Sequence, residues 1–406
     1  MGIGAQRRGE AIVMARVVTR RSWLWGASTL LGAAALAACG ADQSAPGGAG
    51  QEAPAGGTPR AQATVAGSGI VAGPFPGEAK NLTGAGATFP AALYSQWFET
   101  YYGLTQARVN YQAIGSGGGI KAISDQTVDF GATDGPMTDQ QLTEAKGGPI
   151  YHVPTALGAV VATYNIPEVP ASTRLRFTGD TLAGIFLGDI KRWSDPRLKA
   201  DNPNVTFPDK DIVSVHRSDG SGTTYIFTDY LSAVSSKWKD SIGTSTTVNW
   251  PGGLGGRGNE GVTGEVKQNP YSIGYVEYIY AKQNKLGYAE MKNKSGAWIY
   301  PDEAAVSAAA AASSASIPPD LRASIVNADG ATSYPISGFT WLLAYQTMTD
   351  QAKAVALTRL LWWSTHDGQR FNADLGYAAL PAEIIKKAEE FIKGIKVNGS
   401  PAFPNK

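Results

Sequence analysis

The apolar positions of this chain fall into short runs, several of them leading through a turn of small or hydroxyl residues into residues with helical i, i+4 spacing. Residues 82–90 (LTGAGATFP) predict a strand, a glycine turn and a helix opened by Pro90 and continued by Trp97, Phe98 and Tyr101. A proline in a first helical turn forfeits nothing, because its missing N–H would have no intrahelical partner there. Residues 109–114 predict a second strand, and Gly115-Ser116-Gly117-Gly118-Gly119-Ile120 repeats the small-residue turn into a helix. Residues 128–134 predict a third strand, closing on Asp134, and Thr138-Asp139-Gln140-Gln141 reads as a capping box. The run 150–163 predicts a buried strand leading into a second lobe. Residues 177–180 cap a helix over 181–187, and strands follow near 211–216, 273–278 and 335–343. A helix with Lys and Glu outward is expected over 381–395, and the alanine tract 302–316 fits either a surface helix or a loose insertion.

The most informative corner is Arg217-Ser218-Asp219-Gly220-Ser221-Gly222-Thr223-Thr224, between a short strand and the helical spacing of residues 225–231. Free N–H groups at a helix N-terminus point outward and carry the positive end of the helix dipole, which suits an anion. Ser221 and Thr223 add hydroxyl donors, and Gly220 and Gly222 let the backbone come close to a ligand. Arg217 brings a planar, permanently charged fork, and Asp219 stands two residues on to hold it. In an open α/β sheet such corners line one edge, where ligands bind. Gly256-Arg257-Gly258-Asn259-Glu260-Gly261 also spells G-x-G-x-x-G. It follows Asn249-Trp250-Pro251 rather than a predicted strand, so it is not read as a dinucleotide site.

Composition adds the compartment. The chain has 406 residues, enough for two lobes, with 43% hydrophobic and 17% charged positions. Residues 1–38 hold five arginines against Glu10 alone, a net +4 that leaves −3 for the remainder of a chain whose total is +1. The body has no basic run with interleaved aromatics, which argues against nucleic acid. Arg20-Arg21 precede an apolar run ending in Leu36-Ala37-Ala38-Cys39, which resembles a lipoprotein export signal over 1–38 with Cys39 as the lipidated residue. Both a general-secretory and a twin-arginine route fit, and translation could start at Met1 or Met14. Residues 39–80 are rich in Gly, Ala, Pro, Ser and Gln and are expected to form a disordered tether. An exported protein anchored by lipid to the outer face of the cytoplasmic membrane follows. Cys39 is the only cysteine, so no internal disulfide is expected.

Seven blocks together resemble the phosphate-binding proteins of ABC-type phosphate importers (PstS-type). They are LTGAGATFPAALY (82–94), NYQAIGSGGGIKAI (110–123), VDFGATDGPMTD (128–139), RSDGSGTTYIFTDYL (217–231), NWPGGLGGRGNEGV (249–262), YSIGYVEYIYAKQN (271–284) and LGYAALP (375–381). The resemblance covers residues 81–396 or so. It implies an α/β, two-lobed periplasmic-binding-protein fold with a hinge and an interlobe anion site. Lobe one would comprise 81–153 plus 335–406 and lobe two 154–334. The implied phosphate contacts are Thr88, Phe89, Ser116 and Asp134 from one lobe and Arg217, Ser221, Gly222 and Thr223 from the other, with Asp219 bracing Arg217. Gly117 stands where relatives often have a second serine.

The resemblance further implies a monomeric binding protein without catalytic residues, metal or cofactor, which delivers inorganic phosphate to an ABC permease and ATPase complex. Another tetrahedral oxyanion, or a surface sensor or adhesin, would suit the same fold. A phosphoester hydrolase fits less well. His152, His216 and His366 lie far apart without metal-ligand spacing, and neither Ser116 nor Ser221 sits in G-x-S-x-G.

Overall fold

The computed structural model describes residues 77–170 and 172–404. The expected export signal, Cys39 and nearly all of the tether lie outside the described residues. Among the described residues no helix is long and apolar enough to cross a membrane. Residues 78 and 79, expected to belong to the tether, are bonded to the folded body. Ala79 N–H donates to Ala352 O at 3.0 Å, and Glu78 forms a buried ion pair with Arg359 at 2.6 Å. A buried guanidinium needs a close countercharge, which holds residue 78 to the body.

Among the described residues the main sheet has nine strands: β1 (Asn81–Gly86), β2 (Arg108–Ala113), β3 (Phe130–Thr133), β4 (Ile150–Asn165), β5 (Val213–Arg217), β6 (Leu254–Gly256), β7 (Ser272–Glu277), β8 (Gly287–Tyr288) and β9 (Ser337–Tyr345). Their order is β2-β1-β3-β9-β4-β7-β5-β6, with β8 also on β4. The β1–β2, β1–β3, β5–β7 and β5–β6 pairs are parallel. The centre is antiparallel, with β9 between β3 and β4 and β7 on β4. Every residue of β9 is buried and β4 is buried at nearly every position, which accounts for their unbroken apolar runs. β4 faces β9 from Ile150 to Ala159 and β7 from Val160 to Asn165, so a single strand carries the sheet from one half to the other.

Helices α1 (Ala91–Thr105) and α2 (Ser116–Ser124) belong to the first half. Helices α3 (Gly222–Val234) and α4 (Gly258–Gln268) follow β5 and β6. The first half is completed by α5 (Gln351–Thr365) and α6 (Ala382–Gly394). α1 buries Leu93, Tyr94, Trp97, Phe98 and Tyr101, the i, i+4 stripe visible in the sequence, and Trp97 meets Trp363 of α5 edge to face at 6.2 Å. The alanine tract is a helix, Glu303–Ser313, capped by Asp302 and seated on Ala305, Val306, Ala309 and Ala310.

The glycine-rich stretch 256–261 does follow a strand, contrary to the expectation from Asn249-Trp250-Pro251. β6 ends at Gly256 and α4 starts at Gly258. A Cβ on Gly256 would lie 2.4 Å from Val262 N and 2.5 Å from Gly261 C, so these glycines serve close packing of the strand against its helix.

Candidate functional site

The ends of β1, β2, β3, β5 and β6 bring eight of the expected residues into one buried cluster, with Phe89 behind Thr88. Thr88, Ser116, Asp134, Arg217, Ser221 and Thr223 are each at most 4% exposed. Ser221 is the N-cap of α3. Its Oγ accepts from Thr224 N–H at 3.0 Å, which turns the remaining N–H groups of the first turn outward. Gly222 N–H donates to Ser116 Oγ at 3.0 Å, and Asp134 N–H approaches the same oxygen at 3.3 Å. A Cβ on Gly222 would sit 2.6 Å from the backbone nitrogen, Cβ and Oδ2 of Asp134, so only glycine fits there in this arrangement. Gly117 N–H donates to Gly220 O at 2.9 Å, and a Cβ on Gly117 would lie 3.0 Å from Gly220 Cα. A serine at this position would be crowded in this form.

Arg217 and Asp219 form the expected brace. Arg217 Nε and Nη2 donate to Asp219 Oδ1 and Oδ2 at 2.8 and 2.6 Å, and Gly258 N–H adds a third bond to Asp219 at 3.0 Å. Burial opposes ionisation of Asp219, but the hydrogen bonds and charge of Arg217 outweigh it and hold its carboxyl below the usual range. The two-pronged geometry leaves Arg217 Nη1 directed at Thr223 Oγ1, 3.4 Å away.

Asp134 is the opposite case. Burial pushes its carboxyl up to about 7, against smaller downward pulls from the Thr340 hydroxyl, the Arg217 charge and the Ser116 hydroxyl. Its Oδ2 lies 3.4 Å from Ser116 Oγ, whereas its buried Oδ1, like the Thr340 hydroxyl, makes no hydrogen bond of normal geometry. A buried acceptor without a donor is costly, and such groups gather where a ligand completes the bonding. The site thus combines the hydroxyls of Thr88, Ser116, Ser221 and Thr223, a helix N-terminus and one arginine with the Asp134 carboxyl.

Sequence reading missed the residues beneath this cluster. Asn259, fully buried in the first turn of α4, donates from Nδ2 to Thr88 Oγ1 at 2.8 Å and to Thr223 Oγ1 at 3.1 Å. Tyr280 donates its hydroxyl to Thr88 O at 2.6 Å and Tyr377 to Phe89 O at 2.7 Å, with Glu277 Oε2 3.1 Å from the Tyr377 hydroxyl. Burial holds the Glu277 carboxyl well above the usual range. The signal for Asn259 lay in the motif GRGNEG, whose letters suggested a nucleotide loop and drew attention to the glycines.

The histidines lie in structural settings. His152 Nε2 accepts from Met137 N–H at 3.0 Å, and burial pushes this imidazole down to about 3, so it stays neutral. His216 stacks on Trp250 at 5.0 Å and His366 on Trp362 at 4.3 Å. Among the described residues no group of three His, Cys, Asp or Glu could hold a metal ion. A cavity of about 640 Å³ lined by Leu142, Ile150, Tyr151, His152, Arg322 and Phe391 lies apart from the cluster. Its walls are largely apolar, and its Arg322 is already committed to Met137 O, Asp139 and Asp320.

Residues 51–357 match the PBP superfamily domain. The chain is 41% identical over 312 residues to the phosphate-binding protein PstS of Pasteurella multocida, covering 77% of this chain and 90% of the relative. It is 38% identical over 333 residues to that of Methanocaldococcus jannaschii, covering 77% and 85%. Among solved structures it resembles a phosphate-binding protein from Stenotrophomonas maltophilia, with a TM-score of 0.58, 17% identity and coverage of 77% and 94%. That structural likeness shows the fold, α/β and two-lobed.

Proposed function

The chain belongs to the PstS family of phosphate-binding proteins within the PBP superfamily, and we propose that it binds inorganic phosphate outside the cytoplasm for an ABC importer. One lobe comprises 81–153 with 335–406 and the other 154–334, and the anion lies between them. Thr88, Phe89 and Ser116 reach it from the first lobe through N–H and hydroxyl groups. Arg217, Ser221, Gly222 and Thr223 reach it from the second, with Asp219 fixing the guanidinium.

The observation that carries this reading is Asp134 Oδ1, a buried acceptor without a partner beside a ring of donors. A carboxylate repels an anion unless the anion brings a hydrogen. Phosphate brings one at neutral pH and sulfate brings none, so sulfate would set two bare acceptors against each other. Mismatches of that kind discriminate by about 10⁴–10⁵. One arginine with hydroxyls and helix N–H groups suits a desolvated anion better than several full charges would, since each buried ion costs several kcal/mol unless its partners are in place.

Calorimetric titration with phosphate and sulfate tests the proposal. Wild type should bind phosphate and reject sulfate. In Asp134→Asn the amide can accept from a P–OH or rotate to donate to a bare oxygen. Phosphate binding should survive and the phosphate-to-sulfate ratio should fall, so an unchanged ratio would remove Asp134 from the role of proton reader. The protein acts as a monomer, held to the membrane by lipid on Cys39 after cleavage of residues 1–38. The motif Leu36-Ala37-Ala38-Cys39 supports this. Cys39→Ala should move the protein from the membrane to the soluble fraction with phosphate binding intact, and an unchanged pellet would refute the anchor.

A further inference from the structure

We propose that Asn259 fixes the hydroxyls of Thr88 and Thr223 as hydrogen-bond donors into the site, so that this end of it accepts only oxygens that carry no hydrogen. The inference rests on the phosphate-binding reading above. Asn259 is a positioning residue in it, acting through the two threonines.

The orientation of the Asn259 amide follows from its other end. Its Oδ1 accepts from Glu277 N–H at 2.9 Å, and a backbone N–H can only donate, so the opposite atom is the NH₂ group. That NH₂ has two hydrogens and spends one on each threonine, Thr88 Oγ1 at 2.8 Å and Thr223 Oγ1 at 3.1 Å. Each hydroxyl also receives a second donor. Asn259 N–H reaches Thr88 Oγ1 at 3.2 Å, and Arg217 Nη1 lies 3.4 Å from Thr223 Oγ1. A hydroxyl oxygen has two acceptor positions and one hydrogen. With both acceptor positions taken, what remains to each threonine is its own hydrogen, which needs an acceptor.

The two ends of the site therefore differ in sense. Asp134 Oδ1 asks for a hydrogen and the paired threonines refuse one. An anion with one protonated and several bare oxygens satisfies both ends in one orientation. A carboxylate in place of the Asn259 amide would reverse the second end. Each threonine would turn its hydrogen toward that carboxylate, leaving lone pairs aimed at the ligand.

Calorimetric titration with inorganic phosphate at about pH 8 and about pH 5.5 tests this on wild type, Asn259→Asp and Asn259→Ser. Acidification gives the ligand a second hydrogen, which only hydroxyls released from Asn259 can accept. Asn259→Asp should bind about a hundredfold more weakly than wild type at about pH 8, and its deficit should shrink to about tenfold at about pH 5.5. The ionisable groups around the amide, Asp134, Arg217, Asp219, Glu260, Glu277 and Tyr280, are common to all three proteins; Asn259→Asp adds a carboxyl of its own, so the ratio of Asn259→Ser to wild type isolates the freed hydroxyls.

Asn259→Ser frees the hydroxyls without adding a charge. Its deficit should be about tenfold at about pH 8, shrinking about threefold on acidification. Thermal melts check that each variant is folded, and if Asn259→Asp is not, the serine variant decides by the same ratio. A deficit that is equal at both pH values would overturn the proposal, since loss of packing alone does not depend on ligand protonation. Wild-type affinity in either variant would overturn it too. Wild type is titrated first, and its failure to bind phosphate would refute the function proposed above rather than the role of Asn259.

Discussion

Asp134 and Asp219 are carboxyls of one cluster held in opposite states by their neighbours. Arg217 supplies Asp219 with two hydrogen bonds and a charge, whereas Asp134 has burial and an unpartnered oxygen. The consequence for stability can be worked out for the ligand-free protein. In the unfolded chain Asp134 ionises near 3.8, and in the folded chain it keeps its proton up to about 7. Between those values the folded state holds a proton that the unfolded state has lost, so rising pH lowers stability. The loss is absent below the lower value and complete above the upper one. Asp134→Asn lacks this proton and escapes the penalty, so the variant should gain on wild type as pH rises from about 4 to about 7. The gain should reach about 4 kcal/mol at most and stay level beyond. Urea denaturation of both proteins across that range checks it. A constant difference would mean that Asp134 is ionised in the folded protein throughout.

At the scale of elements, the corners were legible because each carries its own local chemistry. The helix expected after the RSDGSGTT stretch is α3, the capping box at Thr138 and Gln141 is present, and Pro90 stands at the start of α1. The chain before α4 was not legible as a strand. That strand, β6, is three residues long, contains two glycines, and exists because Leu254–Gly256 pairs with Val215–Arg217 of β5. A strand made by its partner leaves little trace in its own sequence. Asn259 was hidden for a related reason. Its hydrogen bonds run to Thr88, Thr223 and Glu277, which no local spacing connects to it. Resemblance to a family brought Thr88, Ser116, Asp134 and Arg217 together, because ligand contacts recur as short motifs. Asn259 and Tyr377, which support the cluster from below, belong to no motif that was read for the site. Their role became visible only once β7, α4 and the LGYAALP segment were placed side by side.

At the scale of the molecule, β4 joins the two halves of the sheet as one continuous strand, and the halves also touch directly across the site. Gly222 N–H meets Ser116 Oγ, Gly117 N–H meets Gly220 O, and Asn259 reaches Thr88. Away from the site, Arg322 holds Met137 O and Asp139 while nearby Ser324 bonds Asp229 on α3, so the segment between them straps the second half to the first. We take this arrangement to be the closed form, which a ligand bonded to both halves would favour over an open one. Gly222 gives a way to separate folding from closure. As the first residue of α3 it stands where alanine is a better helix former than glycine, so Gly222→Ala should leave its own lobe stable. In the closed form the new methyl would sit 2.6 Å from the Asp134 backbone nitrogen and Cβ, atoms that cannot swing aside like the end of a flexible side chain. The methyl would then hold the halves apart, and forcing them closed would cost about 1–3 kcal/mol or more. The expected outcome is wild-type thermal stability without ligand and phosphate affinity reduced about tenfold to a hundredfold. Small-angle scattering should show phosphate compacting wild type but not the variant. If wild type scatters identically with and without phosphate, the cleft does not close on its ligand. If the variant compacts as wild type does, the approach of Gly222 to Asp134 is not what limits closure.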